Sequence, residues 1–211
     1  LEKEQRKIID VEHFYSSEDI FNKEIELSKK IKLSNPIQNS VWEMSGLNLQ
    51  NSLGNIYLPS INNLFLKKKI GKNKYSISKI LSSPLAFEDN LILSDDKGTI
   101  YNINLSGKIN WKVNIYKKIY KKIYKNLIFS IYKNNIYIAD NIGFIYAIDL
   151  YDGKLLWLKN HGIPLRSNIK TFKNKLFVIN QDNRLLCLNT KDGTKIWDIR
   201  SITSFIKLQN L

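Results

Sequence analysis

Short apolar runs alternate with polar turns through the second half of the chain, and the pattern repeats three times. Leu91-Ile92-Leu93, Ile136-Tyr137-Ile138 and Leu176-Phe177-Val178 are brief and rich in β-branched or aromatic residues. Such runs predict strands buried on both faces. A polar turn follows each: Asp95-Asp96-Lys97-Gly98, Asp140-Asn141-Ile142-Gly143 and Asn180-Gln181-Asp182-Asn183. Gly98 and Gly143 predict a positive φ, and Asn183 is the non-glycine residue best able to replace them. A further strand is expected over 99–105, 144–150 and 184–189. A second turn, carrying Gly107, Gly153 or Gly193, then leads into a strand expected to end at Trp111, Trp157 or Trp197. The tryptophans lie 46 and 40 residues apart, and each glycine stands four residues before its Trp. A repeat of about 40–50 residues made of short strands predicts propeller blades. One such unit cannot bury both of its sheet faces, so each requires neighbours. The expected fold is all-β, a propeller of four-stranded blades.

Before residue 80 the pattern is weaker. Residues 1–34 form a charged leader, with an amphipathic helix expected over 17–30 from Ile20, Phe21, Ile25 and Leu27 behind a serine cap. Residues 35–49, with Pro36, Trp42 and Gly46, predict an extended lead-in. Residues 55–66 and 74–81 predict a poorly marked first blade, making about four blades over 35–211. The chain starts at Leu1 without Met and stops shortly after the third Trp, which suggests a part of a longer propeller, incomplete at its C-terminus.

Composition adds a strong positive charge: 33 Lys and Arg against 19 Asp and Glu, a net +14. The densest runs are 67–69 and 117–125, the second interleaving Lys with Ile and Tyr. Such a run can suit nucleic acid or anionic lipid. Because Ile, Lys, Asn and Tyr are abundant throughout, solvated lysines are the simpler account, and no nucleic-acid partner is expected. The charge would still steer acidic partners. No stretch approaches the ~18 apolar residues of a membrane-spanning helix. Cys187 is the only cysteine, so no disulfide can form within the chain. It aligns with Ala147 at a small, buried position and reads as a structural thiol. His13 and His161 have no metal-ligand spacing, and no metal site is expected. Nucleophile-elbow, phosphate-loop and zinc-protease motifs are absent, and no catalytic residue is expected. The recurring turn carboxylates read as caps on turn backbone.

Residues 147–157 carry a family resemblance. Ala147, Asp149, Gly153, Lys154 and Trp157 match every defined position of the Ala-x-Asp-x-x-x-Gly-Lys-x-x-Trp docking motif of PQQ-like propeller repeats. The other copies are degenerate: Asn102 and Asn104 replace Ala and Asp in the first, and Cys187, Asn189 and Thr194 replace Ala, Asp and Lys in the third. The resemblance implies that Trp111, Ala147, Asp149, Gly153, Trp157, Gly193 and Trp197 dock blade on blade. Over about 35–211 the chain resembles the BamB family. That likeness implies a non-enzymatic, cofactor-free lipoprotein scaffold at the periplasmic face of the outer membrane of a Gram-negative bacterium. Its implied partners are the barrel-inserting subunit of the assembly machinery and nascent outer-membrane proteins. Leu165 and Arg166, between Trp157 and the next blade, stand where that family has a Leu-Arg pair in its partner-contacting loop. The alternative is part of a quinoprotein dehydrogenase, which implies PQQ, Ca²⁺, an Asp base and often a vicinal disulfide. A WD40-like platform is a third option, with Trp197-Asp198 as the single Trp-Asp pair after a blade's closing Trp.

Overall fold

Each polar turn folds its flanking apolar runs into an antiparallel hairpin, and successive hairpins build three sheets. The computed structural model describes residues 32–58, 64, 66–71, 82–120 and 122–201. The helix expected over 17–30 and His13 lie outside them. Contacts divide the chain into Leu1–Ser34 and Asn35–Leu211, and every strand among the described residues belongs to the second unit.

The first sheet is β1 (Leu85–Phe87), β2 (Asn90–Ser94), β3 (Ile100–Asn104) and β4 (Ile109–Val113). The second is β5 (Leu127–Tyr132), β6 (Asn135–Asp140), β7 (Phe144–Asp149) and β8 (Leu155–Asn160). The third is β9 (Lys170–Phe172), β10 (Lys175–Ile179), β11 (Arg184–Asn189) and β12 (Lys195–Arg200). All three are four-stranded meanders in chain order. The first strands lie beside one another, β1 next to β5 and β5 next to β9. A buried hydrogen bond of 3.0 Å between the hydroxyls of Ser130 and Thr171 joins β5 to β9. The fourth strands face outward: in β8 every residue but Trp157 is exposed. This is the radial order of propeller blades, closely packed inside and solvated outside.

Two apolar layers fill the seams. Leu85, Ile92, Ile100, Leu127, Phe129, Ile136, Ile138 and Ile148 are among the residues of the first. The second gathers Tyr137, Ala139, Ile145, Ala147 and Trp157 from the second sheet against Leu176, Val178, Leu186 and Leu188 of the third. Alternate residues of β6 and β7 thus serve different seams, which is why these strands read as continuous apolar runs.

The turns match their expected chemistry. Gly98 and Gly143 have φ of +78° and +108°, and Asn183 has φ +59°. The turn carboxylates cap backbone: Asp140 Oδ1 accepts from the amides of Ile142, Gly143 and Phe144, and Asp95 Oδ1 from those of Lys97 and Thr99. Asn180 Oδ1 does the same for Asp182 and Arg184.

Three details differ from the expectations. The Trp-bearing strands run on past their tryptophans, by two residues in β4 and three in β8 and β12. Strands β1, β5 and β9 open the sheets where the sequence pattern marks no strand; within 117–125, Lys118–Tyr120 form one 3-10 turn before β5. The described residues hold three complete blades. Of the expected first blade, 59–63, 65 and 74–81 lie outside the described residues, while Ile56 pairs in parallel with Ile37.

The lead-in does more than enter the fold. Trp42 pairs with Ala86 of β1, and Met44 with Ser130 of β5. The Lys170 ammonium of β9 donates to the carbonyls of Ser45 (2.9 Å) and Asn48 (2.7 Å) and to Asn51 Oδ1 (2.6 Å). Residues 42–51 therefore stitch together all three sheets.

Candidate functional site

The seam residues come together as the docking motif requires. In each sheet the register between third and fourth strands shifts at one place, leaving Asn110, Leu156 or Ile196 extra opposite the pairs Asn102/Ile103, Ala147/Ile148 and Cys187/Leu188. The bulge sets each Trp directly across from a compact residue: Trp111 from Asn102, Trp157 from Ala147, Trp197 from Cys187. In the first two sheets it also turns the indole toward the following sheet. Trp111 Nε1 donates to Leu150 O at 3.0 Å, and Trp157 Nε1 to Thr190 O at 2.9 Å. The ring lies over the glycine of that next sheet. A Cβ on Gly153 would fall 2.7 Å from Trp111 Cε3, and one on Gly193 2.5 Å from Trp157 Cε3. Both glycines also have positive φ, +73° and +70°. Asp149 Oδ1 caps the same turn through the amides of Tyr151 and Asp152. Trp197 meets Phe177 at a tilt, centroids 6.0 Å apart, as Trp157 meets Tyr137 at 6.1 Å. At Gly107, Leu66 and Lys68 take the place of the ring, and the Lys68 ammonium bonds the Gly107 carbonyl.

A polar cavity of about 440 Å³ opens where β1 and β5 begin and where the chain approaches β9. Ser45, Ser82, Tyr124, Asn126, Arg166 and Asn168 are among the residues lining it. Arg166 holds its position by donating from Nη2 to Asn183 Oδ1 at 2.7 Å. Leu165 does not join it at the surface. It is 3% exposed, packs in the seam between second and third sheets, and pairs with Asn180 as a β-bridge. The idea that this loop displays Leu165 beside Arg166 is therefore corrected. The loop backbone is bonded at Leu165 N to Asp140 O and at Arg166 N to Ile179 O. With the backbone tied down this way, the first side chain enters the seam and the second, half-buried, lines the cavity.

Beside the first seam lies a buried polar cluster that sequence reasoning missed. Tyr116 donates its hydroxyl to Asp140 Oδ2 at 2.5 Å, and Lys125, 1% exposed, sits 4.9 Å from the Tyr116 ring centre. The Lys125 ammonium is spent on the carbonyls of Tyr120 and Ile123. Burial lowers its pKa. Burial, the neighbouring Tyr146 and the Asp140 charge push Tyr116 far above the ordinary phenol value. The signal was present as the last Lys of the 117–125 run, but periodicity does not distinguish an inward lysine from its solvated neighbours.

A PQQ and Ca²⁺ site would need convergent carboxylate and amide oxygens. Among the described residues no three His, Cys, Asp or Glu side chains converge on a metal-binding point. Asp95, Asp140 and Asp149 are engaged by turn amides, and the 440 Å³ cavity is lined by no carboxylate. The described residues do not fit that pair of cofactors. Cys187 is fully buried opposite Trp197, and burial raises its pKa, as a packing thiol requires.

A comparison with protein families matches residues 141–207 to the family described as outer membrane protein assembly factor BamB. A comparison with curated proteins finds no match. Among solved structures, BamB from Moraxella catarrhalis is similar at 14% identity and TM-score 0.52, over 62% of this chain and 38% of that one. Quinohemoprotein alcohol dehydrogenase from Comamonas testosteroni is similar at 17% identity and TM-score 0.58, over 80% of this chain and 28% of that one. Quinohemoprotein alcohol dehydrogenase ADHIIG from Pseudomonas putida HK5 follows at 12% identity and TM-score 0.63, over 79% of this chain and 27% of that one. This chain thus spans well under half the length of each of these structures. At these identities the likeness to solved structures concerns the fold alone. The chain carries a BamB-like PQQ repeat segment within a partial PQQ-type β-propeller.

Proposed function

We propose that this chain is part of a non-enzymatic propeller scaffold that serves outer-membrane β-barrel protein assembly from the periplasmic side. The observation that carries the reading is the match of residues 141–207, a span that includes β7, β8, the loop after them and the third sheet, to the assembly-factor family. The distribution of polar groups supports it. The turn carboxylates are used on backbone, and Trp, Gly and Ala are used on packing, which leaves loop surface for partners. Arg166, at the rim of the 440 Å³ cavity, is the contact residue proposed for the barrel-inserting subunit. Arginine suits such a place because its fork binds carboxylates and is enriched at interface cores.

Co-purification with that subunit from outer-membrane extracts tests the reading. Arg166→Glu should weaken recovery at equal protein level, and no recovery of the subunit by the unaltered protein would refute the scaffold.

The dehydrogenase reading draws on the fold likeness to the two alcohol dehydrogenases, which covers more of this chain than the likeness to BamB does. Titration of the full-length protein with PQQ and Ca²⁺, followed by absorbance and dye reduction, separates the two. The scaffold predicts no saturable binding, and binding with turnover would reverse the choice.

A further inference from the structure

Residues 115–120 and the outer part of the second sheet line a second cavity, of about 270 Å³. Its walls are Ile115, Tyr116, Tyr120, Phe144 and Leu158, with Lys117 and Asn160 also lining it. We propose that this cleft is a docking groove for an acidic, extended segment of a partner protein, one apolar or aromatic side chain of which seats in the cleft. The proposal rests on the scaffold reading only in taking the partner to be a protein.

The walls are built before any ligand arrives. Tyr120 meets Phe144 edge to face at 5.4 Å and 82°, and Tyr116 meets Phe144 at 6.2 Å and 76°. Tyr116 is held at both ends, its hydroxyl on Asp140 and its amide on Asn114 Oδ1 at 3.0 Å. The Lys125 ammonium clamps the link from beneath through the carbonyls of Tyr120 and Ile123. A pocket fixed this way has little left to order on binding. Leu158, 41% exposed, and Ile119, 75% exposed, extend the apolar surface outward.

Charge selects the occupant. From Lys97 to Ala139 the sequence holds lysines at 97, 108, 112, 117, 118, 121, 122, 125 and 133 and no Asp or Glu. Lys117 lines the cleft and is exposed, as are Lys118 and Lys122 near it in sequence, whereas Lys125 is consumed inside. A largely apolar slot with an exposed lysine at its edge, in a lysine-rich stretch, complements an apolar anchor flanked by carboxylates. The cavity lies near the lower limit of a small-molecule site, about 300 Å³, which suits a single side chain. Nucleic acid would need successive open ring faces for stacking, but these rings meet edge to face. A membrane surface would need a longer apolar face than the one turn at Lys118–Tyr120 supplies.

The test uses the purified full-length protein and a fluorescent synthetic peptide rich in Asp and Glu with one central Phe. Three controls accompany it: the same peptide with Ala for Phe, with Asn and Gln for the acids, and a single-stranded oligonucleotide. Anionic phospholipid vesicles form a further arm. Binding of the acidic Phe peptide that weakens with salt, and about tenfold or more with either peptide change, supports the groove. The paired change Lys117→Glu with Lys118→Glu, and separately Leu158→Gln, should each weaken binding about tenfold with the melting curve unchanged. Equal binding of the Phe and Ala peptides, no peptide binding, or preference for oligonucleotide or vesicles overturns it. Failure here with co-purification of the barrel-inserting subunit intact would remove this groove and leave the scaffold.

Discussion

Replacing Trp157 by alanine should be the most damaging single change in the seams. Trp157 is 9% exposed, and its indole lies over Gly193, meets Tyr137 at a tilt and donates to Thr190 O. A buried Trp removes about 200 Å² from water, which at about 25 cal/mol per Å² corresponds to an upper value of about 5 kcal/mol. Alanine retains a little of that, while the Thr190 carbonyl loses its donor at about 1 kcal/mol. The expected loss is therefore about 3–5 kcal/mol. Two companions divide it. Trp157→Phe keeps an aromatic ring and should lose about 1–2 kcal/mol. Gly193→Ala keeps the indole but puts a Cβ 2.5 Å from Cε3 and Cζ3 at φ +70°; left-handed backbone and overpacking together cost about 2–4 kcal/mol. Trp111→Ala should lose less than Trp157→Ala, because Trp111 is only half-buried and faces Asn102. Urea denaturation of the full-length protein, followed by tryptophan-independent circular dichroism, gives all four values. A loss below about 1 kcal/mol for Trp157→Ala, or a larger loss for Trp111→Ala, would refute the seam argument.

Leu165→Ala should destabilise the fold by about 2–4 kcal/mol, while Arg166→Ala shifts the urea midpoint little; the same denaturation series checks both. Tyr116 and Tyr146 both have pKa values raised mainly by burial, so the folded state keeps protons that the unfolded state releases above its ordinary value of 10.0. Stability should then fall by up to about 1.4 kcal/mol per pH unit for each phenol. Lys125, with a lowered pKa, acts oppositely and ceases to contribute above 10.5. Melts above that pH therefore isolate the phenols, and Tyr116→Phe should reduce the slope; an unchanged slope would contradict the burial argument. Native Cys187 should resist iodoacetamide and react only on unfolding, since its thiol is buried and its pKa raised; rapid native labelling by mass spectrometry would contradict its packing role.

The blades were legible because their signals are local and repeated. The turn residues Gly98, Gly143 and Asn183 and the Gly-x-x-x-Trp spacing report backbone geometry that any copy must satisfy. Asn102 and Cys187 read correctly by register, since each faces its Trp as Ala147 faces Trp157. Strands β1 and β9 were not legible, being three residues long and without alternation. Leu165 was misplaced because its inward turn depends on backbone bonds to Asp140 and Ile179, residues of two different sheets. Lys125 was hidden for a similar reason: a lysine is buried only when distant carbonyls and rings receive it, and sequence does not show which do.

The stitch at residues 42–51 bears on how the protein acquires its structure in time. Hairpins joined by two-residue turns close in microseconds, and each sheet can form from neighbours in sequence. The contact of Lys170 with Ser45 spans 125 residues, so the entropy of a long loop must be overcome before it is gained. Such a contact forms late, after the transition state has assembled the sheets. Lys170→Met should accordingly leave the refolding limb of a chevron in place and accelerate the unfolding limb. The stitch would then act as a kinetic latch, governing how long the assembled sheets persist and having little influence on how fast they form.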